Sequence, residues 1–180
     1  MTCLKVWEHP SVRLKEETTD SEEIQKILSG YGVRFERWEA SASLADDATQ
    51  DDILAAYAQS VKRLKSESGF QSADVVSLTP DHPDKVAFRE KFLSEHIHSD
   101  DEIRFFVDGK GLFCMHFDNQ VVTVLCEGGD LISVPANIKH WFDMGPEPFF
   151  KCIRLFTTPE GWVADFTGDS IADSYPKLGS

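Results

Sequence analysis

The stretch that decides the fold reads HIHSDDEIRFFVDG and covers residues His96–Gly109. Side chains two residues apart in a strand point to the same side, so His96 and His98 leave one face together. After the polar residues 99–101, the same spacing brings Glu102 and Arg104 to that face. A His-His-carboxylate set is a recurrent way to hold a divalent first-row metal ion with open coordination positions. The stretch therefore predicts a metal site on a strand.

A second stretch, GGDLISVPANIKH, covers residues Gly128–His140 and offers His140 as a further ligand. Together the two stretches resemble the two-part signature of the cupin barrels, His-x-His-x3-Glu-x6-Gly followed by Gly-x5-Pro-x-Gly-x2-His. The sequence departs from that signature at Asn137 and at Glu90, where glycine is usual. Asn also tolerates a left-handed backbone, so the change at Asn137 is mild.

The hydrophobic pattern predicts a mainly β fold with flanking helices, and the resemblance to the cupins implies a single cupin barrel of the double-stranded β-helix or jelly-roll kind with an α/β N-terminal extension. From residue 93 onward, short apolar runs are separated by turn residues, which is typical of an antiparallel sandwich or barrel. Two of the predicted strands, Arg104–Val107 and Leu112–Phe117, are divided by an Asp-Gly pair. One continuous helix is predicted from Asp51 to beyond Leu64, and a short one opens near Asp81 and runs through Phe92.

The length of 180 residues suits one domain with a full hydrophobic core. We expect residues 1–180 to form a single cupin-type domain. Within it, residues 1–92 form the extension that packs on the barrel, residues 93–158 form the strands that carry the motifs, and residues 159–180 form a tail with a loose end. In that tail, Trp162 and Phe166 are candidates to pack over the barrel mouth.

The formal net charge of −13 argues against a nucleic-acid partner, because phosphate binding relies on clustered Lys and Arg. No apolar run approaches the ~20 residues that a membrane helix needs, so no membrane partner is expected. The start of the chain lacks the pattern of a signal peptide, which favours a cytoplasmic location. The four cysteines form no Cys-x-x-Cys pair and are interpreted as buried apolar residues. We expect a monomer.

Within the cupins, the wording of both stretches is similar to that of the acireductone dioxygenases, the oxygen-cleaving enzymes of methionine salvage. The resemblance covers essentially the whole chain. It implies a substrate, 1,2-dihydroxy-3-keto-5-(methylthio)pentene, that is cleaved with O2 at one Fe²⁺ or Ni²⁺ ion per chain. The iron form gives 4-methylthio-2-oxobutanoate and formate, and the nickel form gives methylthiopropionate, carbon monoxide and formate.

The resemblance also implies roles for single residues. The four metal ligands match His96, His98, Glu102 and His140. Arg104 matches an arginine that favours the doubly ionised substrate, while Glu95 and Asp101 match neighbours with supporting roles in metal incorporation and in relaying conformational change. Aromatic residues near the substrate pocket match Phe92, Phe142 and Trp162.

Other residues have two interpretations from the sequence alone. Arg104 is a substrate-binding cation or the partner of Asp101 or Glu95 in a salt bridge, and Arg154 and Lys139 are substrate-binding or solvated cations. Phe105 is a further candidate for the apolar wall that a methylthio group needs. The remaining histidines, at positions 9, 82 and 116, are not expected to bind metal: the first two are predicted to be solvated, and the third shares a strand face with Cys114.

Two alternative functions remain open at this point. One is another cupin enzyme with three His and one Glu ligands, such as a flavonol-type dioxygenase or a sugar isomerase. The other is a non-catalytic cupin that binds a small ligand. An isomerase needs no oxygen, and a binding protein shows no turnover, so a substrate screen with oxygen measurement separates the three functions.

Overall fold

The computed structural model describes residues 1–158 and 163–179. The strands are β1 (Cys3–Glu8), β2 (Arg13–Thr18), β3 (Arg34–Arg37), β4 (Ser72–Leu78), β5 (His96–Ile97), β6 (Glu102–Phe117), β7 (Gln120–Glu127), β8 (Asp130–Val134), β9 (Lys139–Asp143), β10 (Phe150–Phe156) and β11 (Asp165–Phe166). The helices are α1 (Ser21–Gly30), α2 (Gln50–Ala56), α3 (Ala58–Ser68) and α4 (Lys85–Leu93), with a 3-10 turn at Ile171–Ser174. The prediction of a mainly β fold with flanking helices is confirmed.

Two antiparallel sheets share the long strand β6. The first sheet has the order β11-β5-β9-β6-β7-β1-β2. In the second sheet, β10 and β8 flank the other half of β6, with β4 beyond β10 and β3 beyond β8. Their inner faces enclose a core that includes Phe106, Phe113 and Phe142, all nearly inaccessible to solvent. Three of the four metal-ligand candidates lie on strands that line this interior, and His98 directly follows β5.

The prediction of two strands divided at Asp108-Gly109 is wrong, because β6 continues through the pair. Gly109 has φ +76, and a side chain there would overlap the backbone carbonyl of Phe149. The register of β6 against β10 shifts at the same place. A glycine inside a strand often marks such a bend or bulge. Here it lets one strand leave the second sheet and enter the first.

The helix predicted from Asp51 onward is two helices, α2 and α3, which are separated at Tyr57. The ring of Tyr57 packs on Phe105 at 4.7 Å between centroids, and its φ of −114 lies outside the helical range. Strand β2 was not predicted, because its side chains are almost all exposed and carry no apolar alternation. Tertiary packing and edge pairing decide both elements.

The predicted boundary at residue 92 does not separate two layers. Three strands of the N-terminal part extend the sheets edge to edge, since β1 pairs with β7, β3 with β8, and β4 with β10. Helices α2 and α3 cover the outer face of the second sheet, where Phe105 and Leu131 are fully buried. The strands of the N-terminal part are thus joined to the barrel sheets by backbone hydrogen bonds.

The tail is docked as far as the structure describes it, which corrects the expectation of a loose end. Ile171, Ala172 and Tyr175 are buried against Trp141 on the outer face of the first sheet. Farther along, the backbone N–H of Leu178 donates to the carboxylate of Asp143. No helix in the described ranges is long and apolar enough to cross a membrane.

Candidate metal centre

Strand pairing brings three imidazoles together. His96 on β5 is the register partner of His140 on β9, and His98 follows two residues after His96. The ring centroids are 4.6 Å apart for His96 and His140, 4.9 Å for His96 and His98, and 5.0 Å for His98 and His140. All three residues are buried, with at most 5% of their surface exposed. One possible ligand atom from each lies within 4.8 Å of those of the others.

The carboxylate of Glu102 joins the three imidazoles at the start of β6. Its Oε2 lies 2.8 Å from Nε2 of His140 and 3.2 Å from Nε2 of His98. Glu102 is 4% exposed. The structure therefore places the four predicted ligands in one cluster.

Backbone carbonyls fix the orientation of every imidazole. Nδ1 of His96 lies 2.7 Å from the carbonyl of Ser94, and Nδ1 of His140 lies 2.7 Å from that of Ile138. Nδ1 of His98 lies 3.0 Å from the carbonyl of Val163. A carbonyl oxygen can only accept, so each Nδ1 carries the proton and donates. In the neutral rings, Nε2 is then the nitrogen that carries the lone pair and can act as a metal ligand.

The donor set fits a cation, because lone pairs face one another in its centre. Nε2 of His98 and His140 point at a carboxylate oxygen, an arrangement that is favourable only with a positive charge, either a proton or a metal ion, between the atoms. Burial, with the nearby His140, lowers the pKa of His96 to about 4, which keeps that ligand neutral. Burial opposes charge on His98, but the hydrogen bond to Glu102 outweighs it and raises the pKa of His98.

The same contacts hold Glu102 in its ionised form. Burial favours the neutral acid, yet the hydrogen bonds with His140 and His98 keep the pKa of Glu102 well below its ordinary value. Three imidazole nitrogens and one carboxylate oxygen suit a divalent first-row metal ion, and they leave positions open if the ion is octahedral. The residues present therefore fit a single divalent metal ion.

Arg104 lies beside the ligands and pairs with Glu102. Its Nη2 is 3.2 Å from Oε1 of Glu102, the oxygen that does not face the imidazoles. Sequence reasoning named Asp101 or Glu95 as its alternative partners, whereas this contact is with Glu102, a predicted ligand. The guanidinium also lies 5.0 Å from the ring centroid of Phe142, and Arg104 is 7% exposed. A permanent positive charge is thus buried next to the metal site.

The predicted aromatic residues fall in different places. Phe142 packs under Arg104, and the ring of Phe92 on α4 lies 6.5 Å from that of His96. Phe105 faces the other way, because it is one residue from Arg104 along β6; it stacks on Trp38 at 4.8 Å under the helices. The suggestion that Phe105 lines the pocket is wrong. Trp162 lies outside the described residues.

Glu95 directly precedes β5, and its carboxylate contacts residues other than the three clustered imidazoles. Its Oε2 is 2.7 Å from Nδ1 of His116, and its Oε1 accepts from the hydroxyl of Thr167 at 2.7 Å. His116 shares its strand face with Cys114, on the outer side of the first sheet. The predicted catalytic role of Glu95 therefore has no direct route to the ligand cluster. Glu95, His116 and Asp169 form a second group close enough to hold a metal ion, but hydrogen bonds already engage both oxygens of Glu95.

Asp101 connects the two motif stretches. Its Oδ1 accepts from the backbone N–H of Ala136 at 2.9 Å, and the N–H of Asn137 donates to the carbonyl of His98. Asn137 has φ +66, as expected for the position where the signature has glycine. The loop before Glu102 and the turn before His140 are thereby held together.

The remaining cations lie farther out. Arg154 is the register partner of Arg104 across β10 and β6, but its guanidinium makes a two-pronged ion pair with Asp74 at 2.9 and 2.6 Å. Lys139 is exposed.

His9 is half-buried rather than solvated, because its ring packs on His116 and its Nδ1 lies 2.9 Å from the hydroxyl of Tyr175. His82 is also half-buried, and its Nδ1 accepts from the N–H of Asp84.

Two residues that shape the site were missed by sequence reasoning. Val163 acts through a backbone carbonyl, which every residue has, so no sequence signal marks it. Gly111 lies inside β6, and a methyl group there would overlap the ring of Phe142. An isolated glycine in a strand was the one available signal, since it often marks a close approach by a neighbouring group.

Comparison with known proteins is consistent with this geometry. The family model described as ARD/ARD' family matches residues 6–164. An acireductone dioxygenase of Marinobacter nauticus is 62% identical over 162 residues, which cover 90% of this chain and 87% of that protein. An acireductone dioxygenase of a Synechococcus strain is 53% identical over 180 residues and covers 99% of each.

A solved structure gives the same result for the fold. The acireductone dioxygenase from Bacillus anthracis, which holds a cadmium ion in its active centre, superimposes with a TM-score of 0.78 at 31% identity. The match covers 90% of this chain and 97% of that one. The prediction of a cupin barrel is confirmed, and the chain belongs to the ARD/ARD' family.

Proposed function

We propose that this chain cleaves the acireductone 1,2-dihydroxy-3-keto-5-(methylthio)pentene with O2 at a single Fe²⁺ or Ni²⁺ ion, as a step of methionine salvage. The products are 4-methylthio-2-oxobutanoate and formate with iron, or methylthiopropionate, carbon monoxide and formate with nickel. The observation that carries the proposal is the convergence of three Nε2 atoms and one carboxylate oxygen in a buried cluster. The relatives named above support the choice of substrate.

His96, His98, Glu102 and His140 would hold the metal ion. When bound, the ion supplies a Lewis acid and a template with open positions for a chelating enediolate. The protein sets the conditions for this chemistry through its own side chains. Burial keeps His96 neutral, and the carbonyls of Ser94, Val163 and Ile138 keep all three Nε2 atoms turned inward.

Arg104 provides the charge that the substrate needs. A doubly ionised enediolate is electron-rich enough to react with oxygen, and it requires a second positive charge besides the metal ion. The guanidinium of Arg104 is always charged and lies against Glu102 at 3.2 Å. Because Arg104 is nearly inaccessible to water, its interaction with an anion is screened less than it would be at the surface.

The aromatic residues around Arg104 keep water away from the reacting carbons. The rings of Phe142 and Phe113 lie 5.0 and 5.8 Å from the guanidinium. Phe92, which is only partly buried, lies near His96. We assign Phe92 to the wall that receives the methylthio group, because this apolar end of the substrate needs an apolar contact.

The test of this function is reconstitution from metal-free protein. One equivalent of Fe²⁺ or Ni²⁺ is added without oxygen, the acireductone and O2 are then supplied, and enediol loss, oxygen uptake and carbon monoxide are measured together. We expect enediol and oxygen to disappear in equal amounts with either metal, and carbon monoxide to form with nickel alone. Enediol loss without oxygen uptake would contradict the proposal.

A pair of histidine variants controls the assignment of the ligands. His98→Ala removes a proposed ligand and is expected to lose both bound metal and turnover. His82→Ala removes a half-buried histidine whose neighbours are the N–H of Asp84 and the ring of Phe88, and it is expected to retain both. Equal losses in the two variants would show that the effect of His98→Ala is not specific to the site.

A further inference from the structure

One ligand depends on a distant part of the chain. We call residues 163–167 the C-terminal strap. Strand β11 within it pairs with β5, so that Phe166 is opposite His96 and Asp165 is opposite Ile97. The strap therefore contains the end strand of the first sheet, directly beside the strand that carries His96 and leads into His98.

The strap supplies the carbonyl that orients His98. Nδ1 of His98 donates to the carbonyl of Val163, which is 65 residues later in the sequence, whereas His96 and His140 use carbonyls two residues earlier. The hydrogen bond on the second nitrogen fixes the tautomer and the direction of a ligating imidazole. The position of Val163 therefore decides whether Nε2 of His98 faces the cluster.

Apolar burial does little to hold the strap. Val163 is 69% exposed and Phe166 is 50% exposed. The strap is instead anchored at its far end, where Thr167 makes two hydrogen bonds with Glu95. The N–H of Thr167 donates to the carbonyl of Glu95 at 3.1 Å, and its hydroxyl donates to Oε1 at 2.7 Å.

The anchor itself is rigid. Glu95 is 1% exposed, and its other carboxylate oxygen lies 2.7 Å from Nδ1 of His116. A hydrogen bond to a buried carboxylate is stronger than one between neutral groups at the surface. The Thr167 hydroxyl thus adds a side-chain contact to the backbone pairing of β11, and it ties the strap to a buried carboxylate one residue before His96.

We propose that Thr167 is a positioning residue for the metal site. Its hydroxyl bond to Glu95 holds the strap on β5, so that the carbonyl of Val163 keeps His98 turned toward the metal ion. The inference rests on the proposed function only in that His98 is a ligand. It assigns Glu95 a structural task, as the receiver of the strap, on the face of the sheet away from the substrate.

By holding His98 in place, Thr167 is expected to slow the release of the metal ion from the wild-type protein. Loss of an outer hydrogen-bond partner of a ligating histidine typically costs 10- to 100-fold in metal affinity. Thr167 acts through Val163 rather than directly, so the lower end of that range applies. We expect removal of its hydroxyl to raise the rate of metal release by about 10-fold.

The experiment compares Thr167→Val, which keeps the shape of the side chain without the hydroxyl, with Thr167→Ser, which keeps the hydroxyl. Each protein is loaded with one equivalent of Ni²⁺, and release into excess EDTA is followed with time. Thr18→Val is the matched control, because the Thr18 hydroxyl donates to Glu23 on an exposed surface of the N-terminal part. We expect about 10-fold faster release from Thr167→Val and wild-type rates from the Ser variant and the control.

A second readout separates this role from a general loss of stability. In Zn²⁺-loaded protein with ¹⁵N-labelled histidine, the Nδ1–H signal of His98 is expected to exchange faster with solvent in Thr167→Val, while those of His96 and His140 are unchanged. Equal release of Ni²⁺ from Thr167→Val and wild type would overturn the inference, and so would fast release from Thr167→Ser. If Thr167→Val does not fold, Thr167→Ala carries the same expectation.

Failure of this inference is distinguishable from failure of the proposed function. Wild-type protein that holds one Ni²⁺ and cleaves the acireductone, together with a Thr167→Val variant of unchanged release rate, rejects the role of Thr167 alone. If wild-type protein binds Ni²⁺ at a site that does not include His98, both the proposed metal site and the positioning role of Thr167 are rejected.

Discussion

The strands that carry the ligands and the C-terminal strap support the same three imidazoles in different ways. His96 and His140 receive their supporting carbonyls from Ser94 and Ile138, each of which lies two residues before its own histidine. His98 receives its support from Val163, in a strap whose side chains are largely exposed. The ligands on the strands are therefore fixed by burial and register, whereas the support of His98 rests on a few hydrogen bonds.

The difference teaches which changes the site tolerates. Changes among the buried ligands remove donor atoms and leave buried polar groups unpaired, which is costly. Changes around the strap alter the orientation of one ring and leave all donors present. The effects on metal binding should decrease from the ligand cluster to the residues around it, and the following variants test that order.

The largest effect is expected from Glu102→Ala. The change removes a carboxylate that contacts Nε2 of His98 and His140 and Nη2 of Arg104. Since loss of an outer partner costs 10- to 100-fold in affinity, loss of a ligand is expected to lower Ni²⁺ affinity by more than about 100-fold. Calorimetric titration of metal-free protein with Ni²⁺ measures this affinity. Glu102→Gln keeps one oxygen donor, so its Ni²⁺ affinity should lie between that of wild-type protein and that of Glu102→Ala. Tight binding by Glu102→Ala would mean that the cluster is not the metal site.

The next effect is expected from Arg104→Ala, which leaves all four ligands in place. The variant should lower kcat by about 10²- to 10³-fold, as for loss of a charge that stabilises a developing anion. Its metal content should fall much less. Steady-state kinetics and metal analysis on the same sample compare the two quantities, with Lys151→Ala as a control at an exposed cation of the second sheet. Parallel losses of metal and activity would place Arg104 among the structural supports instead.

Gly111→Ala tests the packing beneath Arg104. The added methyl group overlaps the ring of Phe142, which must move within a closely packed core of Phe113 and Phe150. Overpacking of this kind costs about 1–3 kcal/mol of the free energy of unfolding, which urea denaturation measures. We also expect a raised KM with nearly full metal content, because Phe142 supports Arg104 and none of the ligands. Gly30→Ala, at a position with open space around it, is the control.

The smallest effect is expected from Arg154→Gln. Its guanidinium pairs with Asp74 at a partly exposed edge of the second sheet, and such pairs contribute at most about 1 kcal/mol to the free energy of unfolding. Asp74→Asn removes the same pair from the other side and should match it in thermal unfolding. If Arg154 also binds substrate, Arg154→Gln will raise KM while Asp74→Asn does not, so the two variants separate the roles.

The ligand cluster could be predicted from the sequence because the rules that predict it act over a few residues. The period of two along a strand places His96 and His98 on one face, and the spacing to Glu102 repeats it. The same rule, applied to Glu95 and Phe105, places each on the face away from the site, and it could have excluded both residues before the structure was known. Family likeness suggested a supporting role for Glu95, and the need for an apolar wall suggested Phe105.

The remaining features depend on contacts between distant parts of the chain. The continuity of β6 through Gly109 follows from its close approach to Phe149, and the break between α2 and α3 follows from the packing of Tyr57 on Phe105. The docking of the tail depends on Tyr175 and on the contact between Leu178 and Asp143. No window of sequence contains both partners of any of these contacts.

The most direct test of the account is the position of a bound ion. A crystal of the protein loaded with one equivalent of Ni²⁺, measured at the nickel absorption edge, is predicted to show one anomalous peak per chain, within bonding distance of Nε2 of His96, His98 and His140 and of a carboxylate oxygen of Glu102. A peak at the Glu95, His116 and Asp169 group, or one that leaves out the ring of His98, would contradict the account.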